Sequence, residues 1–457
     1  MTGMTTAFLA ESMRARGYRV TEGENAPITG GAADSRLTQP GELFAAFRGE
    51  RLDGNDFVDE ALERGAPAVV CEHAPRGDWP DRTVAVVEDT RTAMAELGRD
   101  WLRQCDVRVA GITGTVGKTT AKELTAAALS ARLPTHHSPG NLNSREGLPL
   151  ALMSLRQDHE VSVLEMAMDS EGEIAELCAI AEPSVGAVLN IGATHLEKLG
   201  SMEAIEREKL SLPRSLPREG TAVVNVDDAR VAPVADELAC EVIGFGASEA
   251  ARLRRGDVRD LGLEGSEFGV SYDGEHADVR LHVPGAHLAE GALAAIGIQL
   301  ALGVGLTQAA EAVTGAEIDG RLHVRPRAGG PRILAHTNPP RPASVAGALE
   351  LLRGLGGRRI ALLGEMAELG ERSAEEHRLI GAVAAGCCDV LVAVGEPCRA
   401  VVEEALGAGL GESHWFATKD EAAAFAAGLA RDGDHILVKA SRGQAFEELI
   451  PMLEGRA

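Results

Sequence analysis

The chain has 457 residues, of which 45% are hydrophobic and 25% charged; at roughly 150 residues per domain this predicts about three folding units and excludes a single small binding module. With 53 Gly and 20 Pro the composition is that of a globular protein, not of a fibrous or low-complexity one. The 69 acidic residues outnumber 45 basic ones for a formal net charge of −24, which repels a phosphate backbone and argues against a nucleic-acid partner.

In chain order, residues 1–105 alternate helical patterns with short β-rich runs such as Ala68-Val69-Val70-Cys71 and Thr83-Val84-Ala85-Val86-Val87, predicting a small α/β domain. A second domain, 106–318, opens with an apolar strand at Val109 to Ile112, a Gly-rich turn and an Ala-rich helix to about Leu133. Further strands follow at Val161-Ser162-Val163-Leu164 and Val185 to Ile191. Strand, helix and strand at this spacing predict a largely parallel sheet. Residues 250–283 carry short alternating runs and the turn Tyr272-Asp273-Gly274, expected as antiparallel strands appended to that sheet. In the third domain, 319–457, strands are predicted at Arg359 to Leu363, Val390 to Val394 and His435 to Val438, with helices near Ser344 to Leu355 and Ser373 to Ala385. This is a Rossmann-like rhythm, entered through irregular Gly- and Pro-rich stretches at 328–331 and 338–342.

Cys71, Cys105, Cys178, Cys240, Cys387, Cys388 and Cys398 are scattered and form no Cys-x-x-Cys pair, so neither a disulfide framework nor a zinc site is expected, and a reducing cytoplasm is the compartment they fit. The Cys387-Cys388 pair precedes an apolar strand and is expected to be core. His136-His137 is expected on a solvated loop. No uncharged run approaches the ~18 residues of a membrane span, and Met1 to Val20 contain no apolar signal segment. The protein is expected to be neither exported nor membrane-spanning. Only six residues, at 118, 122, 198, 209, 419 and 439, are Lys, all other basic residues being Arg. A surviving Lys therefore marks places where a compact or deprotonatable amine is needed.

The strongest local signal is Gly111-Ile112-Thr113-Gly114-Thr115-Val116-Gly117-Lys118-Thr119-Thr120, between a predicted strand and a predicted helix. A phosphate loop needs that context: inward-turned amides, a helix N-terminus, Lys118 for the β/γ-phosphates and Thr119 for Mg²⁺. Glu165, at the end of a neighbouring strand, is placed either to help hold the metal or to cap a helix, and His195, after the next strand, is either a second ligand or a structural histidine.

Together with Gly140-Asn141-Leu142-Asn143, Glu165-Met166-Ala167, the run Asn190 to Glu197, and Lys209 fourteen residues after His195, this loop resembles the Mur ligases. They are ATP-dependent amide-forming enzymes of cell-wall precursor synthesis. Asp34-Ser35-Arg36, Pro40-Gly41-Glu42-Leu43-Phe44 and Gly49 to Phe57 resemble the D-alanyl-D-alanine-adding, MurF-type branch. So do Leu363-Gly364-Glu365-Met366-Ala367-Glu368-Leu369-Gly370 and Val438-Lys439-Ala440-Ser441-Arg442-Gly443.

The resemblance implies a three-domain α/β architecture: an N-terminal UDP-substrate domain, a central P-loop ATPase domain and a Rossmann-like amine-substrate domain. It implies that Gly114, Thr115, Val116, Gly117, Lys118, Thr119, Thr120, His287 and Arg321 bind ATP. Thr119, Glu165, His195 and a carbamylated Lys209 would hold Mg²⁺, and Lys118, His195 and Lys209 would be catalytic. Ser35, Arg36, Asn141, Asn143, His336, Lys439, Ser441 and Arg442 would face the substrates. These are small molecules, a UDP-linked muramoyl peptide and an amine or dipeptide, and a monomer is expected. Three of the six lysines, at 118, 209 and 439, fall on these positions.

Two motifs depart from the family. The MurF-type amine loop Asp-Asp-x-Tyr-Asn-Ala-Asn-Pro-x-Ser, aligned on Pro342-Ala343-Ser344, meets Ala335-His336-Thr337-Asn338-Pro339-Pro340-Arg341, without the acids or the Tyr. Alternatively, Ala335-His336-Thr337 is similar to the Ala-His-Thr of the tripeptide-forming branch, with Ile333 and Leu334 where that branch has Asp and Tyr. The adenine-reading His-Asn-x-x-Asn becomes His287-Leu288-Ala289-Glu290-Gly291, and Leu offers packing where an amide offers hydrogen bonds. Three readings stay open: a D-alanyl-D-alanine-adding ligase, a ligase diverted to another amide bond, and a nucleotide-binding homologue without turnover.

Overall fold

The computed structural model describes residues 3–49, 52–192, 194, 199–285, 288–316, 322–325, 331–336, 342–366, 369, 373–440 and 446–453. His195, His287, Arg321, Ser441 and Arg442 lie outside them. The chain divides into two compact units, one of Met1–Arg259, Glu267–Leu281 and Ala286–Glu317, the other of Asp260–Ser266, His282–Gly285 and Ile318–Ala457.

The first unit contains two sheets. Strands β1 (Arg19–Thr21), β2 (Gly30–Ala32), β3 (Glu42–Ala45), β4 (Ala68–Cys71) and β5 (Thr83–Val86) are ordered β1-β5-β4-β3-β2, with β1 antiparallel and the others parallel. The second sheet is built on β6 (Arg108–Thr113), β7 (Thr135–His137), β8 (Val161–Glu165), β9 (Val185–Val188), β10 (Thr221–Asn225) and β11 (Glu241–Gly246). These run parallel in the order β11-β10-β9-β6-β8-β7. Leu253–Arg255 extends β11 in parallel, and Ser266–Tyr272 continues antiparallel to it. The residues between 250 and 283 thus widen the central sheet.

One apolar core joins both sheets of this unit, running from Leu9, Leu43 and Met94 through Trp101 to Leu148, Leu164 and Leu177. Its joint is the helix Thr90–Cys105 against the helix Gly147–Leu152. Trp101 Nε1 donates to the Leu155 carbonyl at 2.9 Å. A Cβ at Gly31 would come within 2.8 Å of the Leu150 side chain and 3.0 Å of its Cα, so β2 reaches this helix only because residue 31 has no side chain.

The second unit holds a sheet of Leu322–Arg325, Arg332–His336, His435–Lys439, Arg359–Leu363, Val390–Val394 and Ser413–Phe416, in that spatial order. The first strand is antiparallel and the rest parallel. Successive residues alternate between two cores, as a strand period of two requires. Ala361, Leu363, Leu391 and Ala393 face the helices Pro342–Arg353 and Ser373–Cys387. Ile360, Leu362, Val390 and Val392 pack with Ala422, Ala423 and Ala426 of the helix Lys419–Leu429. A sheet covered on both faces explains why its strands read as unbroken apolar runs. The architecture is α/β throughout.

Several elements differ from the sequence reading. His136 is no loop residue: it lies in β7, is 5% exposed, and its ring nitrogens meet Ser162 Oγ, the Ala151 carbonyl and Ser154 Oγ. Burial pushes its pKa down to about 3, so it stays neutral. Between the irregular stretches expected to open the third domain stands a strand, Arg332–His336. Strand β9 stops at Val188 rather than Ile191, because the chain from Leu189 onward bonds to the Gly-rich turn. Cys387 and Cys388 are core, as read from the sequence. Among the described residues no helix is long and apolar enough to cross a membrane.

Candidate active site

The Gly-rich turn leaves β6 at Thr113 and enters the helix Lys118–Ser130 through Gly117, whose φ of +86° places it in the left-handed region that glycine tolerates. Among the described residues no side chain caps this helix at Gly117, which leaves its first-turn amides for a ligand. That is the usual condition of a helix N-terminus that takes an anion. The loop itself is braced from behind. Asn190 Oδ1 accepts from Thr115 N at 3.1 Å and Val116 N at 2.9 Å, and Asn190 Nδ2 donates to the Val116 carbonyl. Gly192 N donates to Thr115 Oγ1 at 2.8 Å. Val116 stands exposed at the tip, while Thr120 is buried.

Two lysines converge on this turn. Lys118 Nζ donates to the carbonyls of Gly114 at 2.8 Å and Thr115 at 3.3 Å, and Lys209 Nζ, from the helix Met202–Arg214, donates to the same Gly114 carbonyl at 3.0 Å. Burial lowers the pKa of Lys118, against the pull of Glu165. For Lys209, burial and then the neighbouring Lys118 charge push the pKa down to about 7, against Glu208. Two cations sharing one carbonyl need negative charge, and Glu208 is committed elsewhere: it caps the helix Glu173–Ala181 by accepting from Gly172 N and Ile174 N.

Glu165, 3% exposed at the end of β8, faces the other flank of the turn. Its Oε2 accepts from Thr119 Oγ1 at 2.9 Å and its Oε1 from Asn143 Nδ2 at 2.8 Å. Its amide donates to Ser138 Oγ at 3.1 Å. A carboxylate and a hydroxyl beside a phosphate loop are the hard oxygen donors that suit Mg²⁺, which commonly takes one or two protein oxygens and completes its shell with phosphates and water. Both groups the resemblance implies, a nucleotide phosphate chain and Mg²⁺, therefore fit the side chains present.

The remaining expected residues are distributed as follows. Asn141 is exposed on the loop before Asn143. Leu288 is 4% exposed and belongs to the interior. Ser35 is also buried and donates to Glu60 Oε2 at 2.8 Å, whereas Arg36 is exposed and clamps Asp34 at 2.7 and 2.9 Å. In the second unit, Lys439 pairs in register with His336 on one side and Leu363 on the other. His336, Lys439 and the Gly364-Glu365 turn thus share the carboxyl-end edge of parallel strands, where open α/β sheets bind ligands. Sequence reasoning did not single out Ser138 or Glu208, and it quoted Asn190 only as the start of a motif, with no role of its own. Lys122, flagged only by the rarity of lysine, proves to be fully buried.

Residues 27–102 match the Mur ligase family, catalytic domain, residues 112–299 the Mur ligase middle domain, and residues 320–442 the Mur ligase, glutamate ligase domain. The chain belongs to the Mur ligase family. The UDP-N-acetylmuramoyl-tripeptide--D-alanyl-D-alanine ligase of Bacillus subtilis is 31% identical to it over 433 residues, covering 93% of each chain. The enzyme of the same name from Treponema pallidum is 34% identical, covering 96% of each. The crystal structure of MurF from Acinetobacter baumannii superposes over 100% of both chains with a TM-score of 0.79 and 28% identity.

Proposed function

We propose that this chain is the ATP-dependent ligase that joins D-alanyl-D-alanine to a UDP-N-acetylmuramoyl tripeptide in peptidoglycan precursor synthesis. The observation that carries the reading is the Gly114 turn, where two lysines share one carbonyl opposite a buried carboxylate. Its support from relatives is whole-length likeness to enzymes of that name, and a MurF ligase from Thermotoga maritima in complex with ADP is similar over 95% of this chain with a TM-score of 0.65.

A carboxylate is a poor acyl donor; ATP with Mg²⁺ supplies the phosphoryl group that makes an acyl phosphate of it. The chain's own residues do the rest. Lys118 and the first-turn amides of its helix would hold the phosphates, and Thr119 and Glu165 the metal. Lys209 would be carbamylated. Its depressed pKa supplies the neutral amine that this requires, and conversion to an anion turns its repulsion from Lys118 into attraction. His195, His287 and Arg321 keep the metal and nucleotide roles that the resemblance gives them. Three domains, 1–105, 106–318 and 319–457, would present the UDP substrate through Ser35 and Arg36, the nucleotide, and the amine through His336, Lys439, Ser441 and Arg442. Asn141 and Asn143 would meet the substrate from the central domain. Cytoplasmic action as a monomer completes the reading.

Ligation to a different amine is the second reading, motivated by the absence of both acids and the Tyr from the amine loop at 335–341. The deciding experiment is phosphate release from ATP with UDP-muramoyl tripeptide and a panel of amines. Release that requires D-alanyl-D-alanine is the expected result. Release with another amine instead would favour the second reading, and none with any amine would leave a nucleotide-binding homologue.

A further inference from the structure

Lys122 is 0% exposed, yet it carries a charge on the buried face of the helix Lys118–Ser130. Its Nζ donates to the carbonyls of Ser138 at 2.8 Å and Gly140 at 3.0 Å and pairs with Glu123 Oε1 at 2.9 Å. An ammonium has three donors, and here all three are taken. No donor is left over for a ligand, so the group acts on the chain itself. What it holds is the loop that follows β7. From that loop come the Ser138 hydroxyl that accepts the Glu165 amide and the Asn143 amide that donates to Glu165 Oε1. The loop therefore grips Glu165 at its backbone and at its carboxylate, and Lys122 grips the loop. The sequence is in keeping with this: in a chain with Arg at nearly every basic position, residue 122 is one of the few that keeps the compact ammonium instead of the planar guanidinium.

We propose that Lys122 is a positioning residue for the metal site, holding the Ser138–Gly140 backbone so that the loop presents Glu165 in a fixed orientation. The proposal rests on the reading of Glu165 as a metal ligand. Partners behind a metal ligand typically change metal affinity by roughly 10- to 100-fold when removed, and that is the effect expected of Lys122→Met.

The test is manganese binding to the ADP-loaded protein, followed by electron paramagnetic resonance, alongside ADP affinity measured in chelator without metal. Manganese affinity should weaken by about tenfold or more in Lys122→Met while metal-free ADP affinity stays unchanged. A purely structural role would lower the melting temperature and leave the metal affinity of the folded fraction intact, which would overturn the proposal. Ser138→Ala removes one grip on Glu165 and leaves Lys122 its carbonyl. It should weaken manganese binding in the same direction, unchanged affinity refuting the proposal, and if Lys122→Met does not fold, Lys122→Gln takes its place with the same expected loss, since it keeps a donor for only part of the three-way contact. Glu165→Gln separates the two levels of inference. If it binds manganese as the unmodified protein does, the ligand assignment fails and the proposal with it. If it binds weakly while Lys122→Met and Ser138→Ala bind normally, only the positioning role fails.

Discussion

Replacing Lys118 with Ala is expected to reduce substrate-dependent phosphate release by roughly 100- to 1,000-fold or more, the loss that follows removal of one preorganised donor to developing charge. The argument is electrostatic. Lys118 sits in the first turn of an uncapped helix and, in the structure, its ammonium spans the carbonyls of Gly114 and Thr115. Burial already disfavours its charge, so an incoming phosphate chain exchanges weak carbonyl partners for full anions. The fold should not suffer. Removing Lys118 also removes a like charge beside Lys209, so the melting temperature is expected to hold or rise as activity collapses. Undiminished turnover in the variant would remove the turn from the catalytic account.

Lys209→Arg should fall by a comparable factor, roughly 100-fold or more, and added bicarbonate should not restore it. A guanidinium cannot be carbamylated and keeps its positive charge next to Lys118. In the unmodified protein the pH dependence follows from the pKa of about 7, against an ordinary 10.5. Between these two values the unfolded chain binds the proton that the folded chain sheds, so stability rises with pH across that window; the cost of burying the cation is fully present below about 7. Activity has the same sense. The neutral amine forms the carbamate, so turnover should drop as pH falls through about 7, and extra bicarbonate should move the drop to lower pH. Full activity in Lys209→Arg, or indifference of the unmodified protein to carbon dioxide removal, would exclude the carbamate.

How much of this could be read beforehand depends on how local each feature is. The phosphate loop is contiguous, strand then glycines then helix, so its place between β6 and the helix Lys118–Ser130 is written in the local pattern. Glu165 is legible for a similar reason, as the acid that ends an apolar run. Lys209 is different: it meets the Gly114 carbonyl across 95 residues, a contact no periodicity reports, and only the rarity of lysine and the family resemblance drew attention to it. His136 misled because composition cannot show that Ser162, Ser154 and a carbonyl will satisfy both ring nitrogens inside the core. The strand Arg332–His336 was missed because five residues between Pro- and Gly-rich stretches carry too little period to separate strand from loop. Asn190 and Ser138 act through hydrogen bonds to chain segments distant in sequence, and their residue types give no hint of it.

In the proposed reaction this chain activates the tripeptide carboxylate through ATP and passes it to D-alanyl-D-alanine. The most direct measurement is mass spectrometry of a reaction containing ATP, Mg²⁺, D-alanyl-D-alanine and UDP-muramoyl tripeptide carrying heavy oxygen in the reacting carboxylate. A muramoyl pentapeptide product and inorganic phosphate containing one heavy oxygen per ligation are expected. Phosphate free of the label, or label transfer without the pentapeptide, would contradict the proposed reaction.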